Sequence, residues 1–173
     1  SGASKYFTLH IDNLSKLIVL FTAIFGLLIS VYSLIYVSNE KKIYNYYPFY
    51  LITLGCTIGA ILADNLMLFI FFWGVLGFTL YKLIKGQDEE SSAAAKKTLI
   101  IIGSSDGIMI LGIAIVWQIA GSLNMSELNI ATNSSLATTA FITLLIGSFA
   151  KAGAFPFHTW IPDYSQKAPA SST

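Results

Sequence analysis

Two charged side chains interrupt long apolar stretches of this chain. Asp106 lies in the middle of one stretch, and Lys151 lies near the end of a later one. A charge at the centre of a membrane helix costs roughly 2.5–3.5 kcal/mol on insertion scales, so it should face the interior of a helical bundle. A lysine there gives up its proton more easily, because burial disfavours the charged form. We therefore interpret Asp106 and Lys151 as candidates for proton translocation.

Each of these charges also has a structural interpretation. Asp106 follows two serines, and a carboxyl group that bonds to them would only hold helices together. Lys151 lies four residues before Phe155, so its long side chain can reach the membrane interface. The residue types alone leave both alternatives open.

A proline soon after Lys151 predicts a break in the helix. Pro156 cannot donate a hydrogen bond to the carbonyl of Ala152, and its ring crowds that turn. We therefore predict that the helix breaks between Ala152 and Pro156, with Gly153 and Pro156 as the break residues. Irregular backbone at membrane depth is tolerated only where it is buried in protein or lines a wet cavity. The break is thus a place where Lys151 can meet water.

His158 follows the predicted break and titrates near neutral pH, which makes it a candidate for extending a proton path. A histidine beside Trp160 also fits an interfacial hydrogen-bonding role in an aromatic belt. Pro162 and Pro169 predict that the tail 156–173 is not a regular helix.

No other constellation of residues points to chemistry. Cys56 is the only cysteine, which excludes an internal disulfide and a cysteine-ligated zinc or iron–sulfur site on this chain alone. His10 and His158 lie too far apart in the sequence to suggest a metal site. We expect no catalytic residue, no metal and no cofactor, and we interpret the aromatic run 69–73 as lipid or helix contacts.

The composition indicates an integral membrane protein. Of the 173 residues, 55% are hydrophobic and 11% are charged, against roughly 25% charged in a typical soluble domain. The mean hydropathy is +0.69. This shortage of charge excludes soluble enzymes and disordered proteins. A net charge of +1 without any arginine excludes nucleic acid as a partner.

Five apolar stretches are close to the ~20 residues that a membrane-crossing helix needs. None shows the alternation of a barrel strand, so we predict an all-α integral membrane protein, a bundle of about five transmembrane helices with a discontinuous last helix. The predicted spans are 14–37, 46–63, 66–84, 98–120 and 136–155.

Two connections between these spans carry specific predictions. Asp64 and Asn65 make a tight hairpin between the second and third spans and should bond to the free amides at the helix ends. The polar run 85–92 is predicted to be an exposed loop, with Ser91 or Ser92 capping the next helix.

The lysines predict the orientation of the bundle. One end of the spans collects most of them, and the positive-inside bias assigns that end to the cytoplasm. It holds Lys41, Lys42, Lys82, Lys85, Lys96, Lys97 and Lys167, whereas the other end holds Lys5 and Lys16. The N-terminus is therefore expected to start outside.

Several segments, taken in order, resemble one family of membrane proteins. They are Ile11–Ser15, Ile61–Leu66 followed by Trp73, Ala93–Lys97 leading to Asp106 and Gly107, and above all Phe149–Asp163 followed by Ala168 and Pro169. The chain resembles the antiporter-like, proton-conducting membrane subunits of complex I, of energy-converting hydrogenases and of Mrp-type sodium/proton antiporters. The resemblance implies that 149–163 is the family's discontinuous helix, that Lys151 is its central titratable lysine and that Asp106 modulates this lysine.

The chain departs from the family pattern in two respects. Family members usually carry a glutamate directly after the tryptophan of the third span, as the counter-charge of the lysine, whereas this chain has Gly74. Asp106 is then the only deep acid in the predicted spans. Family members are also much longer, so we expect the single membrane domain 1–173 to be an incomplete part of a larger multi-helix antiporter-like fold.

The resemblance implies proton translocation, with sodium as the alternative ion, by a subunit of a redox-driven complex such as NADH-quinone oxidoreductase or a membrane-bound hydrogenase. We expect a non-catalytic subunit in a bacterial or archaeal cytoplasmic membrane, or an organelle inner membrane. Its expected partners are the lipid bilayer and other membrane subunits of a respiratory or hydrogenase-type complex. The alternatives are a non-conducting scaffold subunit of such a complex and a subunit of an Mrp-type antiporter.

Overall fold

A computed structural model describes residues 7–36, 43–85, 89–131 and 134–167, and within these ranges the chain forms six α-helices and no β-strand. The helices are α1 (Asn13–Tyr36), α2 (Ile43–Leu62), α3 (Leu66–Ile84), α4 (Glu89–Ala120), α5 (Ser135–Ala152) and α6 (Trp160–Lys167). The all-α prediction is confirmed. The helices α1, α3, α4 and α5 are long and apolar enough to cross a membrane, whereas the apolar part of α2, Tyr46–Leu62, is shorter than 18 residues.

The fourth helix begins earlier than the sequence predicts. It starts at Glu89 rather than at Thr98, so the predicted loop 85–92 is wrong from Glu89 onward, and neither Ser91 nor Ser92 caps the helix. Acidic residues in its first turn favour this start, because they complement the positive end of the helix dipole. The alanines that follow are the strongest helix formers.

The hairpin between α2 and α3 forms as predicted. Of its two polar residues, Asn65 bonds to a helix-end amide as expected, whereas Asp64 bonds to a different segment. Asn65 caps α3 by accepting a hydrogen bond from the Met67 amide at 2.9 Å. Asp64 does not cap a helix. Its carboxylate accepts bonds from the amide (2.9 Å) and hydroxyl (2.7 Å) of Ser126. The connection between α4 and α5 is thereby tied to the hairpin.

The helix α4 is the centre of the bundle and packs against α3, α5 and α6. Two glycines let α4 and α5 approach closely. An added Cβ at Gly147 would lie 2.8 Å from Cβ of Met109, and one at Gly112 would lie 2.5 Å from Oγ1 of Thr143. The main buried cluster consists of Leu66, Met109, Ile113, Val116 and Ala140.

Apart from Lys151, the lysines whose side chains the structure describes lie at opposite ends of the bundle, as predicted. Lys82, Lys85, Lys96 and Lys97 lie where α3 ends and α4 begins. Lys16 lies in the first turn of α1, and the segment before α1 pairs with the α2–α3 hairpin through a bridge between Leu9 and Ala63. The side chains of Lys5, Lys41, Lys42 and Lys167 lie outside the described residues.

The fifth helix ends as predicted. Gly153 caps α5 with a φ of 67°, a left-handed conformation that favours glycine. Residues 153–159 are not helical, and the Phe155–Pro156 peptide bond is cis. The predicted break between Ala152 and Pro156 is confirmed.

A short helix follows the break, so the prediction of an irregular tail is wrong for Trp160–Lys167. Pro162 lies in the first turn of α6, where a missing N–H removes no bond within the helix. An ion pair between Lys97 Nζ and Asp163 Oδ2, 2.6 Å long, ties α6 to α4. Pro169 lies outside the described residues.

Candidate functional site

Lys151 lies in the last turn of α5, directly before the break. Its ammonium donates a hydrogen bond to the backbone carbonyl of Trp73 at 2.5 Å and lies 4.3 Å from the centroid of the Trp73 ring. Only 14% of the lysine side chain is exposed. These contacts are directed into the bundle, so the geometry favours a buried ammonium over a lysine that extends to the interface.

Asp106 lies on the face of α4 that meets α3 and α5. Its Oδ2 atom is 3.6 Å from Lys151 Nζ, and its Oδ1 atom accepts a hydrogen bond of 2.9 Å from the Trp73 indole N–H. The hydroxyl of the neighbouring Ser105 instead donates to the Ile102 carbonyl at 2.7 Å. The carboxylate is therefore bound to a tryptophan and a lysine of two other helices, and not to Ser105.

Trp73 is the member of this site that sequence reasoning misses, because the aromatic run 69–73 by itself indicates only lipid or helix contacts. The indole contacts both charges, and the Phe69 ring packs beside it at a centroid distance of 5.1 Å. A usable signal lies in the indole N–H, which can only donate and usually finds an acceptor when buried. Asp106, on the neighbouring helix α4, is the charged acceptor for the Trp73 indole N–H.

Two glycines of α3 lie near the site in different ways. An added Cβ at Gly77 would lie 3.6 Å from Asp106 Oδ2 and 3.9 Å from Lys151 Nζ, so this residue faces the ion pair. Gly74 is not in close contact with any neighbour, since an added Cβ there would meet no atom within 4 Å. Position 74, at which the resemblance led us to expect a glutamate, is thus open in the described part of the chain.

The structure does not bring His158 to the ion pair. The side chain is exposed, and its ring stacks against Phe155 with centroids 5.7 Å apart. Within the described ranges, no hydrogen bond or ion pair joins His158 to Lys151 or to Asp106. Gly153 and the cis-bonded Pro156 lie in the segment that separates His158 from α5.

A buried hydroxyl lies on α4 about two turns before Asp106. Thr98 is 1% exposed, and its Oγ1 atom has no hydrogen-bond partner in the part of the chain that the structure describes. Buried polar groups are nearly always satisfied, so this hydroxyl is an exception within the described ranges. Among the same residues, no group of three His, Cys, Asp or Glu side chains could hold a metal ion.

Comparison with known proteins gives matches over most of the chain. Residues 63–173 match the model of a family described as "NADH:quinone oxidoreductase/Mrp antiporter, TM". A Na(+)/H(+) antiporter subunit of Alkalihalophilus pseudofirmus is 31% identical over 164 residues, and a Na(+)/H(+) antiporter subunit of Staphylococcus haemolyticus is 33% identical over 163 residues. Each alignment covers 91% of this chain and 20% of the relative.

Two solved structures share the arrangement of the helices. A chain of the membrane-bound sulfane sulfur reductase, an archaeal respiratory membrane complex, superposes with a TM-score of 0.85 at 23% identity. A chain of respiratory complex I from Thermus thermophilus superposes with a TM-score of 0.75 at 25% identity. Both matches cover 94% of this chain, but only 34% and 36% of the respective structures. The chain therefore spans about a fifth of the curated relatives and about a third of the structural neighbours.

Proposed function

The chain belongs to the membrane family of NADH:quinone oxidoreductase and Mrp antiporter subunits, and we propose that it translocates protons through Lys151 and Asp106. It is an integral membrane chain, in keeping with its long apolar helices. The observation that carries the proposal is the ion pair of 3.6 Å between Lys151 Nζ and Asp106 Oδ2. Ionisable residues inside membrane helices are rare and usually mark an ion pathway or a proton relay.

The proposed mechanism uses the surroundings of the ammonium. Asp106 supports the protonated form of Lys151, because opposite charges attract strongly in a poorly solvated place. The Trp73 carbonyl is a second acceptor for the ammonium. Lys151 keeps its proton until a change in the nearby charges lowers its affinity for the proton. The lysine then releases the proton to water and later takes up another proton from water. Non-helical backbone at membrane depth is tolerated only where it is buried in protein or lines a water-filled cavity. The non-helical break after α5 is therefore the place where we expect water to exchange protons with Lys151.

The activity of the whole protein is a wider proposal, because the chain spans only part of its relatives. We propose a proton-translocating subunit that works beside other membrane subunits of a redox-driven respiratory or hydrogenase-type complex. The similarity to chains of two respiratory membrane complexes supports this assembly. An Mrp-type antiporter subunit, with sodium as a second ion, is the other candidate, and 31–33% identity to Na(+)/H(+) antiporter subunits favours it.

A membrane scaffold without conduction is the alternative function, since Gly74 replaces the family's glutamate. Conduction requires water along a path to the ion pair, whereas a scaffold is dry and tightly packed.

We propose a secondary role for His158, as an exposed group that exchanges protons between the break and the lysine-rich end of the bundle. Its exposed position directly after the break and the two ring nitrogens of its imidazole, one of which can accept a proton while the other donates one, support this role. His158→Gln should slow proton uptake without abolishing it. A rate equal to that of the wild type removes His158 from the path.

The test of the proposal is proton uptake by sealed vesicles that contain the whole protein in its assembled complex. Lys151→Ala should abolish uptake while insertion and assembly stay at wild-type levels, because it removes the buried amine on which the proposed transfer depends. Lys96→Ala is the matched control, since Lys96 is an exposed lysine on α4, and it should pump normally. Normal uptake by Lys151→Ala would contradict proton translocation through this chain and would favour the scaffold function, in which other subunits carry the protons.

A further inference from the structure

We infer that Trp73 is a positioning residue that holds Asp106 and Lys151 in the arrangement that proton transfer needs. This inference rests on the proposed function, because it assigns a role within the same site. Trp73 is the only residue of the described part of the chain that is hydrogen-bonded to both charges.

The indole fixes the carboxylate. Its Nε1–H group donates to Asp106 Oδ1 at 2.9 Å, which leaves Oδ2 turned toward the ammonium at 3.6 Å. A hydrogen bond to a charged group is among the stronger ones in proteins. Phe69 packs against the indole with ring centroids 5.1 Å apart. Asp106 is thus held in one orientation by a donor that does not itself titrate.

The backbone carbonyl and the ring of Trp73 together bind the Lys151 ammonium. The carbonyl accepts a hydrogen bond from Lys151 Nζ, and the ring face lies 4.3 Å from the same atom. A cation at this distance from an indole is attracted to the ring. The carbonyl has a second lone pair for a side-chain donor besides its helical bond. Gly77, one turn later on α3, lies beside the ion pair, since an added Cβ there would lie 3.9 Å from Lys151 Nζ.

This arrangement explains how the lysine is held without an acid at position 74. Gly74 lies in open space and contributes no side chain. The uncharged Trp73 beside it connects α3 to the ion pair through its hydrogen bonds to Asp106 and Lys151. The counter-charge comes from α4 instead. Trp73 thereby connects three helices, α3 through its backbone, α4 through Asp106 and α5 through Lys151.

The first experiment is a double-mutant cycle on the rate of proton uptake in vesicles with the assembled complex. Trp73→Phe keeps an aromatic ring and the carbonyl but removes the N–H, and it should slow uptake about tenfold. In an Asp106→Ala background, which offers the indole N–H no acceptor, the same change should slow uptake by no more than about twofold, because the two residues act through one contact. Trp117→Phe is the control, since Trp117 is an exposed tryptophan on α4, and it should leave the rate unchanged.

Two results would overturn the inference. One is a wild-type rate for Trp73→Phe, and the other is an equal loss with and without Asp106, which indicates a general structural defect. Both differ from a failure of the proposed function, which shows as normal uptake by Lys151→Ala.

A second pair of variants decides the matter if Trp73→Phe does not assemble. Gly77→Val adds a branched side chain whose Cβ would lie 3.6 Å from Asp106 Oδ2 and 3.9 Å from Lys151 Nζ, so its methyl groups should crowd the ion pair. Gly74→Val makes the same change on the same helix in open space. We expect loss of uptake for Gly77→Val alone. Equal rates for the two variants contradict the inference.

Discussion

At the residue scale, the site consists of two opposite charges that are each bound to Trp73. Lys151 and Asp106 are 14% and 15% exposed, so water screens their attraction only in part. Removal of one partner from such a pair leaves the other without compensation, which is costly in a poorly solvated place. The two residues should nevertheless differ in their sensitivity to substitution, since only one of them is proposed to carry the proton.

Asp106→Asn should slow proton uptake about tenfold without abolishing it, because the amide keeps the shape of the side chain but loses the charge that supports the ammonium. The measurement is the initial rate of uptake in vesicles with equal amounts of assembled complex. Glu89→Gln makes the same chemical change at the exposed start of α4 and should have no effect. A rate for Asp106→Asn at the level of the control contradicts a role for the ion pair.

The two charges of the site could be found from the sequence, because a charge within an apolar stretch is visible without a structure. The role of Trp73 could not. It depends on the register of α3 against α4, which brings the indole N–H to Asp106, and no local pattern fixes that register. The exposure of His158 likewise depends on how the chain leaves α5.

At the scale of the elements, the end of α5 has the sharpest structural requirement. Gly153 has a left-handed φ, and an added Cβ would collide with Cδ1 of Ile161 in α6. The glycine therefore sets both the end of α5 and the position of α6. Lys151 lies in the preceding turn, so a shift of this corner also moves the ammonium.

Gly153→Ala should lower the melting temperature of the complex and slow proton uptake, because alanine costs roughly 1–2 kcal/mol in the left-handed region and also displaces Ile161. Gly121→Ala is a matched control. Gly121 has a φ of 68°, but an added Cβ there meets no atom within 4 Å. The control should show the backbone cost alone and normal uptake. Equal effects of the two variants on uptake would show that the contact with α6 is unimportant for the site.

The break was predictable from Gly153 and Pro156, whose effects on the backbone are local. The start of α4 had local signals in its acidic first turn and in the alanines that follow, although the polar run 85–92 indicated a loop. The presence of α6 was not predictable, because it depends on tertiary contacts. The polar first turns of α4 are helical where Ser91, Ala94 and Ala95 are buried, and Tyr164 of α6 packs against this region. Burial there raises the pKa of Tyr164 to about 12, so we expect this phenol to stay neutral at physiological pH.

At the scale of the whole molecule, the described bundle has an apolar exterior. In the four long apolar helices, only 11% to 33% of the most apolar window is buried within the chain, with α1 at the low end. α1 packs mainly against α2. This exposure agrees with a bundle that lies in a bilayer beside further helices.

The orientation of this bundle can be tested by cysteine labelling of intact cells. In a Cys56→Ala background, a membrane-impermeant maleimide should not label Gln87→Cys, because the lysine-rich end is predicted to face the cytoplasm. Gln87 itself lies outside the described residues. Asn129→Cys, in the connection between α4 and α5, should be labelled efficiently. The reverse pattern would contradict the predicted topology.

The most direct test of the central claim is proton uptake by Lys151→Arg in vesicles that contain the assembled complex. Arginine keeps the positive charge that Asp106 and the Trp73 carbonyl bind, but its guanidinium does not release a proton in the accessible pH range. We predict normal assembly and the loss of proton uptake. Assembly with uptake at the wild-type rate would show that no proton passes through residue 151, and it would contradict the account.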